Sequence, residues 1–138
     1  MKKSRAAGGI VFSSERKVLL VEQRSGSWSF PKGRIRPGET TLETAKREIY
    51  EESGITDLKL MEKLGNYRRY QLSGDGKSED KSVLKIISLF LFTTTQRKIK
   101  PLDTDDNPQA IWFKKEEVCD RLTHDKDKEF FQSIIDRI

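Results

Sequence analysis

The sequence has little of what stabilises secreted or membrane-embedded proteins. It contains one cysteine, Cys119, so no internal disulfide can form, and a lone thiol fits a reducing cytoplasm. It has no apolar run of about 18 residues, so no transmembrane helix and no membrane partner are expected. Residues 1–5 lead into a predicted strand rather than an apolar core, so a secretory signal peptide is not expected either.

Apolar side chains are also scarce. Hydrophobic residues make up 34% of the chain and charged residues 36%, which predicts a small core under a strongly charged surface. The chain nevertheless has two Trp, three Tyr and seven Phe, together with several Val, Ile and Leu runs. This composition is not that of a disordered protein. Its length fits one compact domain over residues 1–138.

Positive charge is in excess, with a formal net charge of +5. This balance suits polyanionic ligands but does not choose between nucleotides and nucleic acid. No stretch of five or more Lys or Arg residues occurs, and no RNA-binding aromatic motif is present. Nucleic acid is therefore not favoured as the main partner.

Hydrophobic periodicity predicts strands and helices in alternation. The strands are expected at 6–13, 17–23, 28–30, 58–72, 83–95 and 110–113. The helices are expected at 41–53, 116–122 and 125–138. The segment 83–95 is the most apolar and is predicted to be a central strand, whereas Gly65 is predicted to bend its strand. Mixed strands with helices on both sides predict an α/β sandwich.

The helix at 41–53 carries clear signals at both of its ends. Thr40 is a plausible N-cap, and Glu43 three residues later completes a capping-box pattern. Gly54 lies where a helix is expected to end. Three apolar positions at i, i+3 and i+7 predict one buried stripe: Leu42, Ala45 and Ile49.

Three glutamates of this helix, Glu48, Glu51 and Glu52, are spaced i, i+3 and i+4, so their carboxylates lie on a different face from the apolar stripe. Like charges at that spacing repel one another, which is reasonable if a divalent cation lies among them. Oxygen ligands suit Mg²⁺ or Mn²⁺ rather than zinc. The alternative is a solvated acidic face paired with Lys46 and Arg47.

Residues 33–55 read GRIRPGETTLETAKREIYEESGI and match the Nudix box, G-x5-E-x7-R-E-U-x-E-E-x-G-U with U aliphatic, at every defined position. Those positions are Gly33, Glu39, Arg47, Glu48, Ile49, Glu51, Glu52, Gly54 and Ile55. The chain thus resembles Nudix hydrolases, which split a nucleoside diphosphate linked to another group. The resemblance implies the Nudix fold, a mixed β-sheet sandwiched between α-helices.

The resemblance also implies roles for residues of the box. The three glutamates would be catalytic and, with Gly33, would hold Mg²⁺, with Mn²⁺ as a possible substitute. Arg47 would brace Glu39 and so hold the loop against the helix. Gly33 and Gly38 would let the loop backbone approach the ligand.

Motifs outside the box extend the resemblance to bacterial diadenosine tetraphosphate hydrolases. They are AAGG at 6–9, SWSFPKG at 27–33, Lys85-x4-Phe-Leu, and LTHDKDKEFF at 122–131. The W-x-F-P-K-G signature also resembles diphosphoinositol polyphosphate phosphohydrolases, so it implies a highly phosphorylated small-molecule substrate, such as a nucleoside polyphosphate. Lys32 is a point charge at the loop that can meet an additional phosphate.

Further substrate-binding candidates lie on the strands. Lys85 falls within an apolar run, where its ammonium group either reaches solvent or faces the cleft; the resemblance favours the cleft. Phe30, Tyr67 and Tyr70, with Trp28, are candidates for stacking on a base, and packing in the core or at the surface is the alternative for each.

One departure from the family pattern concerns the general base. Gln109 stands three residues before Trp112, where related sequences often have a glutamate, and a glutamine cannot take a proton at neutral pH. The base is then a box glutamate, which we favour, or Asp105 or Asp106 of the facing loop. The only histidine, His124, is predicted at the start of the last helix.

Other functions remain open at this point. Within the same class, the chain could hydrolyse diphosphoinositol polyphosphates, nucleoside triphosphates or RNA 5′ pyrophosphate. From another class, it could be a catalytically silent Nudix domain that senses nucleotides. The intact set of three box glutamates argues against silence, because a binding module has no need for all of them.

Overall fold

Seven strands form one curled mixed sheet in the computed structural model, which describes residues 1–138. The strands are β1 (Lys2–Phe12), β2 (Val18–Glu22), β3 (Trp28–Ser29), β4 (Lys32–Arg34), β5 (Lys59–Leu72), β6 (Glu79–Thr93) and β7 (Ala110–Phe113). Their order in the sheet is β3-β2-β1-β6-β5, with β4 paired to β1 and β7 paired to β2. The long segment predicted as a central strand, β6, lies between β1 and β5, as expected.

The parallel pair β1 and β6 forms the middle of the sheet. Their Cα partners run without a register shift from Lys2 opposite Val83 to Phe12 opposite Thr93. All other pairs are antiparallel, and the β5–β6 pair has a register shift next to Gly65, whose φ is 106°. The bend predicted at Gly65 is therefore confirmed as a bulge.

The helices are α1 (Thr41–Ser53), α2 (Val118–Arg121) and α3 (Asp125–Ile134), with 3₁₀ turns at Lys115–Glu117 and Ile135–Arg137. The capping box of α1 is present. The Thr40 hydroxyl accepts from the Glu43 amide at 3.1 Å, and the Glu43 carboxylate accepts from the Thr40 amide at 2.9 Å. The helix ends at Gly54 with a φ of 76°, so its predicted bounds are confirmed.

Two apolar cores lie on the two faces of the sheet. Alternate residues of β1 point to opposite faces, so Ile10 belongs to one core and Val11 to the other. Ala45 and Ile49 of α1 are fully buried in the second core, and Phe131 of α3 is fully buried in the first. The sheet therefore lies between helices, which confirms the predicted α/β sandwich.

The segment before the box lies directly against β1. A Cβ added to Gly8 would lie 2.0 Å from the carbonyl oxygen of Pro31, and Gly8 is the register partner of Lys32 in β4. No side chain fits at this position. Gly8 therefore marks a close approach of β1 to the backbone at Pro31 and Lys32.

Several elements differ from prediction, among them β6, which begins at Glu79 rather than at residue 83. β1 begins at Lys2, because its polar first residues pair with β6 along their whole length. β4 was not predicted, since the sequence Lys-Gly-Arg has no strand periodicity. The last helix tightens into a 3₁₀ turn at Ile135–Arg137, a common ending. None of the helices has the length and apolar character needed to cross a membrane.

Candidate active site

The acidic face of α1 lines a cleft of about 370 Å³. The loop before β7 faces the helix here, and the Leu102 amide donates to the Glu51 carbonyl oxygen at 3.0 Å. The cleft is lined by Glu48, Glu51, Glu52, Leu102, Asp103, Asp106 and Asn107. The structure thus brings the three predicted glutamates to one cleft. Residues of the loop before β7 lie across this cleft from them, as the sequence analysis expected of that loop.

Gly33 touches one of these glutamates directly. A Cβ added at Gly33 would lie 2.1 Å from the carboxyl carbon of Glu48. Any side chain at position 33 would therefore displace the Glu48 carboxylate, which explains why the loop needs a glycine at this point. The backbone of the loop and the acidic face of the helix meet at this contact.

Arg47 holds the loop through a bidentate ion pair with Glu39. Its Nε donates to Glu39 Oε2 at 2.7 Å and its Nη2 donates to Glu39 Oε1 at 2.8 Å. The same Nη2 also donates to the Arg34 carbonyl oxygen at 3.1 Å. The Arg47 guanidinium lowers the pKa of Glu39 to about 2. These are the contacts that the resemblance implied for this pair.

The third nitrogen of Arg47 reaches the acidic face. Its Nη1 donates to Glu48 Oε1 at 2.7 Å and to Glu51 Oε1 at 3.1 Å. Two carboxylates are thus turned onto the guanidinium, and no group of three or more His, Cys, Asp or Glu side chains lies close enough together to hold a metal ion. A metal that bound here would require Glu48 and Glu51 to rotate away from Arg47.

Glu52 differs from the other two glutamates in its environment. Its side chain is buried, with 5% of the residue exposed, and its Oε1 has no hydrogen-bond partner. Burial, together with the neighbouring Glu48 carboxylate, raises the pKa of Glu52 well above its usual range. A buried carboxylate oxygen without a partner, beside two more carboxylates, has the chemistry of a site for a hard divalent cation.

Three cationic side chains gather next to this cleft. Lys32 lies in β4, and Arg69 and Lys85 are directly opposite each other on β5 and β6. Burial, reinforced by Arg69 and Lys85, lowers the pKa of Lys32 to about 7. Burial and Arg69 likewise lower the pKa of Lys85. The two predicted lysines are therefore together, with Arg69 as a third member that the sequence did not suggest.

Arg69 is held from the side of α3. Its Nε lies 3.4 Å from Asp127 Oδ1, and Arg69 and Asp127 are 6% and 1% exposed. The Tyr67 hydroxyl donates to the same Asp127 oxygen. The sequence did not indicate that Arg69, Asp127 and Tyr67 meet, because charged residues on a half-exposed strand and a polar helix start carry no signal of burial.

One of the predicted base-stacking residues has no free ring face, and a second has one face of its ring against another aromatic ring. Phe30 is 1% exposed and lies 5.8 Å from the Phe131 ring, inside the core. The Tyr67 ring stacks on Phe130 at 4.7 Å while its hydroxyl is bound by Asp127. The stacking hypothesis is therefore wrong for Phe30, and core packing, the alternative, holds for it. Tyr67 is half-buried and stays a candidate. Tyr70 is half-buried and remains a candidate.

The residues weighed for proton transfer lie around the loop before β7. Gln109 is exposed and its Nε2 donates to Glu22 Oε1 at 3.1 Å. Asp106 forms an ion pair with Arg24 at the rim of the cleft, and Asp105 is exposed. Neither aspartate is buried as Glu52 is.

His124 begins the last helix, as predicted. It is the N-cap of α3, and its Nδ1 accepts from the Lys126 amide at 3.1 Å. Its Nε2 lies 3.1 Å from Glu79 Oε2. An accepting Nδ1 carries no proton, as in a neutral ring, and burial, together with Arg69, lowers the pKa of His124.

Comparison with known proteins identifies the family. The NUDIX domain matches residues 2–134, nearly the whole chain, and the chain therefore belongs to the Nudix family. The chain is 38% identical over 68 residues to the RNA pyrophosphohydrolase of Serratia proteamaculans. That stretch covers 46% of this chain and 39% of that protein, so less than half of the relative's length is matched.

Solved structures share the fold across the full length. The Ap4A hydrolase of C. elegans superposes with a TM-score of 0.77 at 19% identity and covers 97% of this chain and 96% of its own. The dihydroneopterin triphosphate pyrophosphohydrolase of E. coli gives a TM-score of 0.78 at 15% identity, with 100% of both chains covered. At these identities the similarity establishes the fold.

Proposed function

We propose that this protein is a Mg²⁺-dependent pyrophosphohydrolase that cleaves nucleoside polyphosphates. One observation carries the proposal: an acidic cleft and a cluster of cations adjoin each other at Lys32 and Gly33. Lys32 is close enough to both groups for its pKa to be affected by Glu52 on one side and by Arg69 on the other. A polyphosphate needs such a pair of regions, one for the phosphorus under attack and one for the rest of its charge.

The glutamates of α1 would hold the metal. Glu48, Glu51 and Glu52, with the backbone at Gly33, offer hard oxygen donors, which suit Mg²⁺ and also Mn²⁺. A bound metal supplies a Lewis acid that polarises the phosphoryl group and neutralises charge on the leaving phosphate. Arg47 keeps the loop and the helix together through Glu39, and so keeps Gly33 against the acidic face.

The proton of the attacking water would go to a box glutamate, Glu48 or Glu52. Gln109 cannot accept it, and Asp106 is engaged by Arg24 at the rim. The box glutamates are favoured because they would already lie beside the metal-bound water, whose pKa the metal would lower. Water attack on one phosphorus then breaks the anhydride bond to the next phosphate.

Diadenosine tetraphosphate and related dinucleoside polyphosphates are the substrates we favour. The sequence motifs outside the box resemble hydrolases of that type, and the C. elegans Ap4A hydrolase shares the fold. The cations on β4, β5 and β6 favour a substrate with more than two phosphates. A cytoplasmic location remains a prediction from the single free cysteine.

Hydrolysis of RNA 5′ pyrophosphate is the second candidate, and two observations favour it. The relatives at 36–38% identity are RNA pyrophosphohydrolases. In addition, a basic surface is formed beside the box loop by Lys2, Lys3, Arg5 and Arg34, and a basic surface of this kind can bind the phosphates of a strand.

A substrate panel separates the candidates. The purified protein would be incubated with Mg²⁺ and diadenosine tetraphosphate, a diphosphoinositol polyphosphate, nucleoside triphosphates, ADP-ribose or 5′-triphosphorylated RNA, and products separated by ion exchange. We expect the highest kcat/KM for diadenosine tetraphosphate. A higher value for the RNA, falling steeply with salt, would favour the second candidate. No hydrolysis of any compound, with binding retained, would indicate a silent nucleotide-sensing domain.

A further inference from the structure

Asn107 is the one uncharged polar residue that lines the acidic cleft, and its amide nitrogen is bound by the segment at the end of β2. The residue is 8% exposed and lies across the cleft from the glutamates of α1. Its Nδ2 donates to the Glu22 carbonyl oxygen at 3.3 Å and to Gln23 Oε1 at 3.4 Å. Both hydrogens of the Asn107 amide are therefore used within the protein.

The oxygen of the same amide has no such partner. No group of the chain donates a hydrogen bond to Asn107 Oδ1, and this atom is accessible to solvent. The nitrogen and the oxygen of a planar amide point to different sides. Because the nitrogen faces β2 and the residue lines the cleft, the accessible oxygen faces the cleft.

A directional chain of hydrogen bonds fixes which end of the amide faces the cleft. The Ser29 hydroxyl donates to the Phe30 carbonyl oxygen at 3.0 Å, so it accepts from Gln23 Nε2, which lies 3.1 Å away. Gln23 Oε1 is then the atom that accepts from Asn107. A flipped Asn107 amide would set its oxygen against the Glu22 carbonyl oxygen and Gln23 Oε1, and acceptors that face one another repel.

The backbone of the loop before β7 is fixed on both sides of Asn107. The Leu102 amide donates to the Glu51 carbonyl oxygen at 3.0 Å, which ties the loop to α1. The Glu22 amide donates to the Gln109 carbonyl oxygen at 2.8 Å, which ties the loop to β2. The Gln109 side chain is bound by Glu22 and does not line the cleft. Asn107 Oδ1 therefore has a defined place opposite the carboxylates of α1.

We propose that Asn107 Oδ1 is a binding atom for a hydrated divalent cation held by the glutamates of α1, and that it accepts hydrogen bonds from the water ligands of the cation. Mg²⁺ usually keeps several waters when it binds to a protein. An amide oxygen accepts from them without adding another negative charge beside the carboxylates. The inference rests on the proposed function for its metal site. Gln23 acts on the cation only through Asn107 and is a positioning residue.

The test measures binding of Mn²⁺ by electron paramagnetic resonance of the free ion. Asn107→Leu and Asn107→Asp both remove the two hydrogen bonds that Nδ2 donates, but only the leucine removes the oxygen from the cleft. We expect Asn107→Leu to weaken Mn²⁺ binding by about 10- to 100-fold. Asn107→Asp should bind Mn²⁺ at least as tightly as the wild type, because it keeps an oxygen and adds a charge. Asn66→Leu, at an exposed position of β5, is the control and should stay within about twofold of the wild type.

Equal weakening in the leucine and aspartate variants would overturn the inference, because it would show that Asn107 acts only by holding the loop. Wild-type affinity in a folded Asn107→Leu, checked by circular dichroism, would overturn it as well. Should Asn107→Leu fail to fold, Gln23→Met removes the acceptor that orients the amide at a similar volume. It should weaken Mn²⁺ binding beyond the range of the control, and wild-type affinity in this variant would also count against the inference.

The same measurements separate this inference from the proposed function. Mn²⁺ binding that depends on Asn107, without hydrolysis in the substrate panel, would reject the enzymatic function and leave the inference standing. Hydrolysis by a wild-type protein whose Mn²⁺ affinity does not depend on Asn107 would do the reverse. No binding of Mn²⁺ by the wild-type protein would overturn the inference together with the metal assignment.

Discussion

At the scale of single residues, Glu52 is the most constrained group of the candidate active site. It is buried beside Glu48, one of its oxygens has no partner, and its pKa is raised well above the usual range. A carboxylate in this state destabilises the fold when it is ionised, because burial removes its hydration and the Glu48 carboxylate repels it, more than nearby Lys32 offsets. Such a cost is reasonable where a metal or a proton is bound during turnover.

We therefore predict that Glu52→Gln lowers kcat on the order of 10²-fold or more, as expected when a residue that contacts the metal is lost. The free energy of unfolding should stay equal or rise, since an uncharged amide replaces a buried charge at nearly the same volume. Phosphate release reports the first quantity and urea denaturation the second. A fully active variant, or full wild-type activity in excess chelator, would contradict the metal assignment.

The aspartates of the facing loop are expected to matter much less. Asp106 lines the cleft but forms an ion pair with Arg24, and Asp105 is exposed. Asp105→Asn and Asp106→Asn should each lower the rate by less than about 10-fold, which is under about 1.4 kcal/mol of barrier. A loss near 10³-fold in either variant, with circular dichroism unchanged, would place the general base on the loop.

At the scale of elements, α1 and the loop before it act as one unit. Gly33 is in contact with the Glu48 side chain, and Arg47 connects Glu39 of the loop to the acidic face. The pKa of Glu39 falls from 4.5 to about 2. A lowered carboxylate pKa contributes stability that is present above the unfolded-state value and is lost as pH falls towards the folded-state value.

Glu39→Gln should accordingly lower the melting temperature at pH 7, where the Arg47 pair is fully formed. The difference between wild type and variant should shrink as the pH falls below about 4.5 towards 2. Thermal denaturation across this range, followed by circular dichroism, measures it. Glu43→Gln, on the first turn of the same helix, serves as a control, and a difference that is constant with pH would indicate that Glu39 acts by packing alone.

The elements that could be predicted are those specified by local signals. The capping box and Gly54 define α1 to the residue, and the spacing of its glutamates places them on one face. β4 could not be predicted, since only contact with β1 makes Lys32–Arg34 a strand. Arg69 and Asp127 were likewise missed, because their burial depends on α3 packing over β5, which no spacing within either segment encodes. Phe30 was placed at the ligand because an aromatic ring next to a functional loop looks the same in sequence whether it is buried or free.

At the scale of the whole molecule, the cationic side chains and the glutamates of the candidate site come from opposite faces of the sheet. Lys85 points to the same face as Ile87 and Leu89, which pack towards α3, and Arg69 lies opposite it. The glutamates come from α1, which covers the other face through Ala45 and Ile49. The two groups meet at β4, at the end of the box loop. Both helices must therefore be docked for the three cationic side chains and the acidic cleft to adjoin each other.

Docking of α3 buries Phe131 completely, and its ring lies against the Phe30 ring. Phe131→Ala should lower the free energy of unfolding by about 3–5 kcal/mol, the cost of deleting a buried aromatic ring and leaving a cavity. Phe130→Ala is the matched control on the same helix. Its ring is half-buried and stacks on Tyr67, so we expect a loss of about 1–2 kcal/mol.

The same experiment tests the prediction that residues 1–138 form one domain. If they do, urea unfolding of Phe131→Ala should give coincident transitions by tryptophan fluorescence and by far-ultraviolet circular dichroism, both moved to lower urea. Trp112 reports the α1 face and Trp28 the α3 face, so single-tryptophan variants can follow each face separately. A variant in which the Trp28 signal changes first, while the Trp112 signal keeps the wild-type midpoint, would show that the two faces unfold independently and that the chain is not a single cooperative unit.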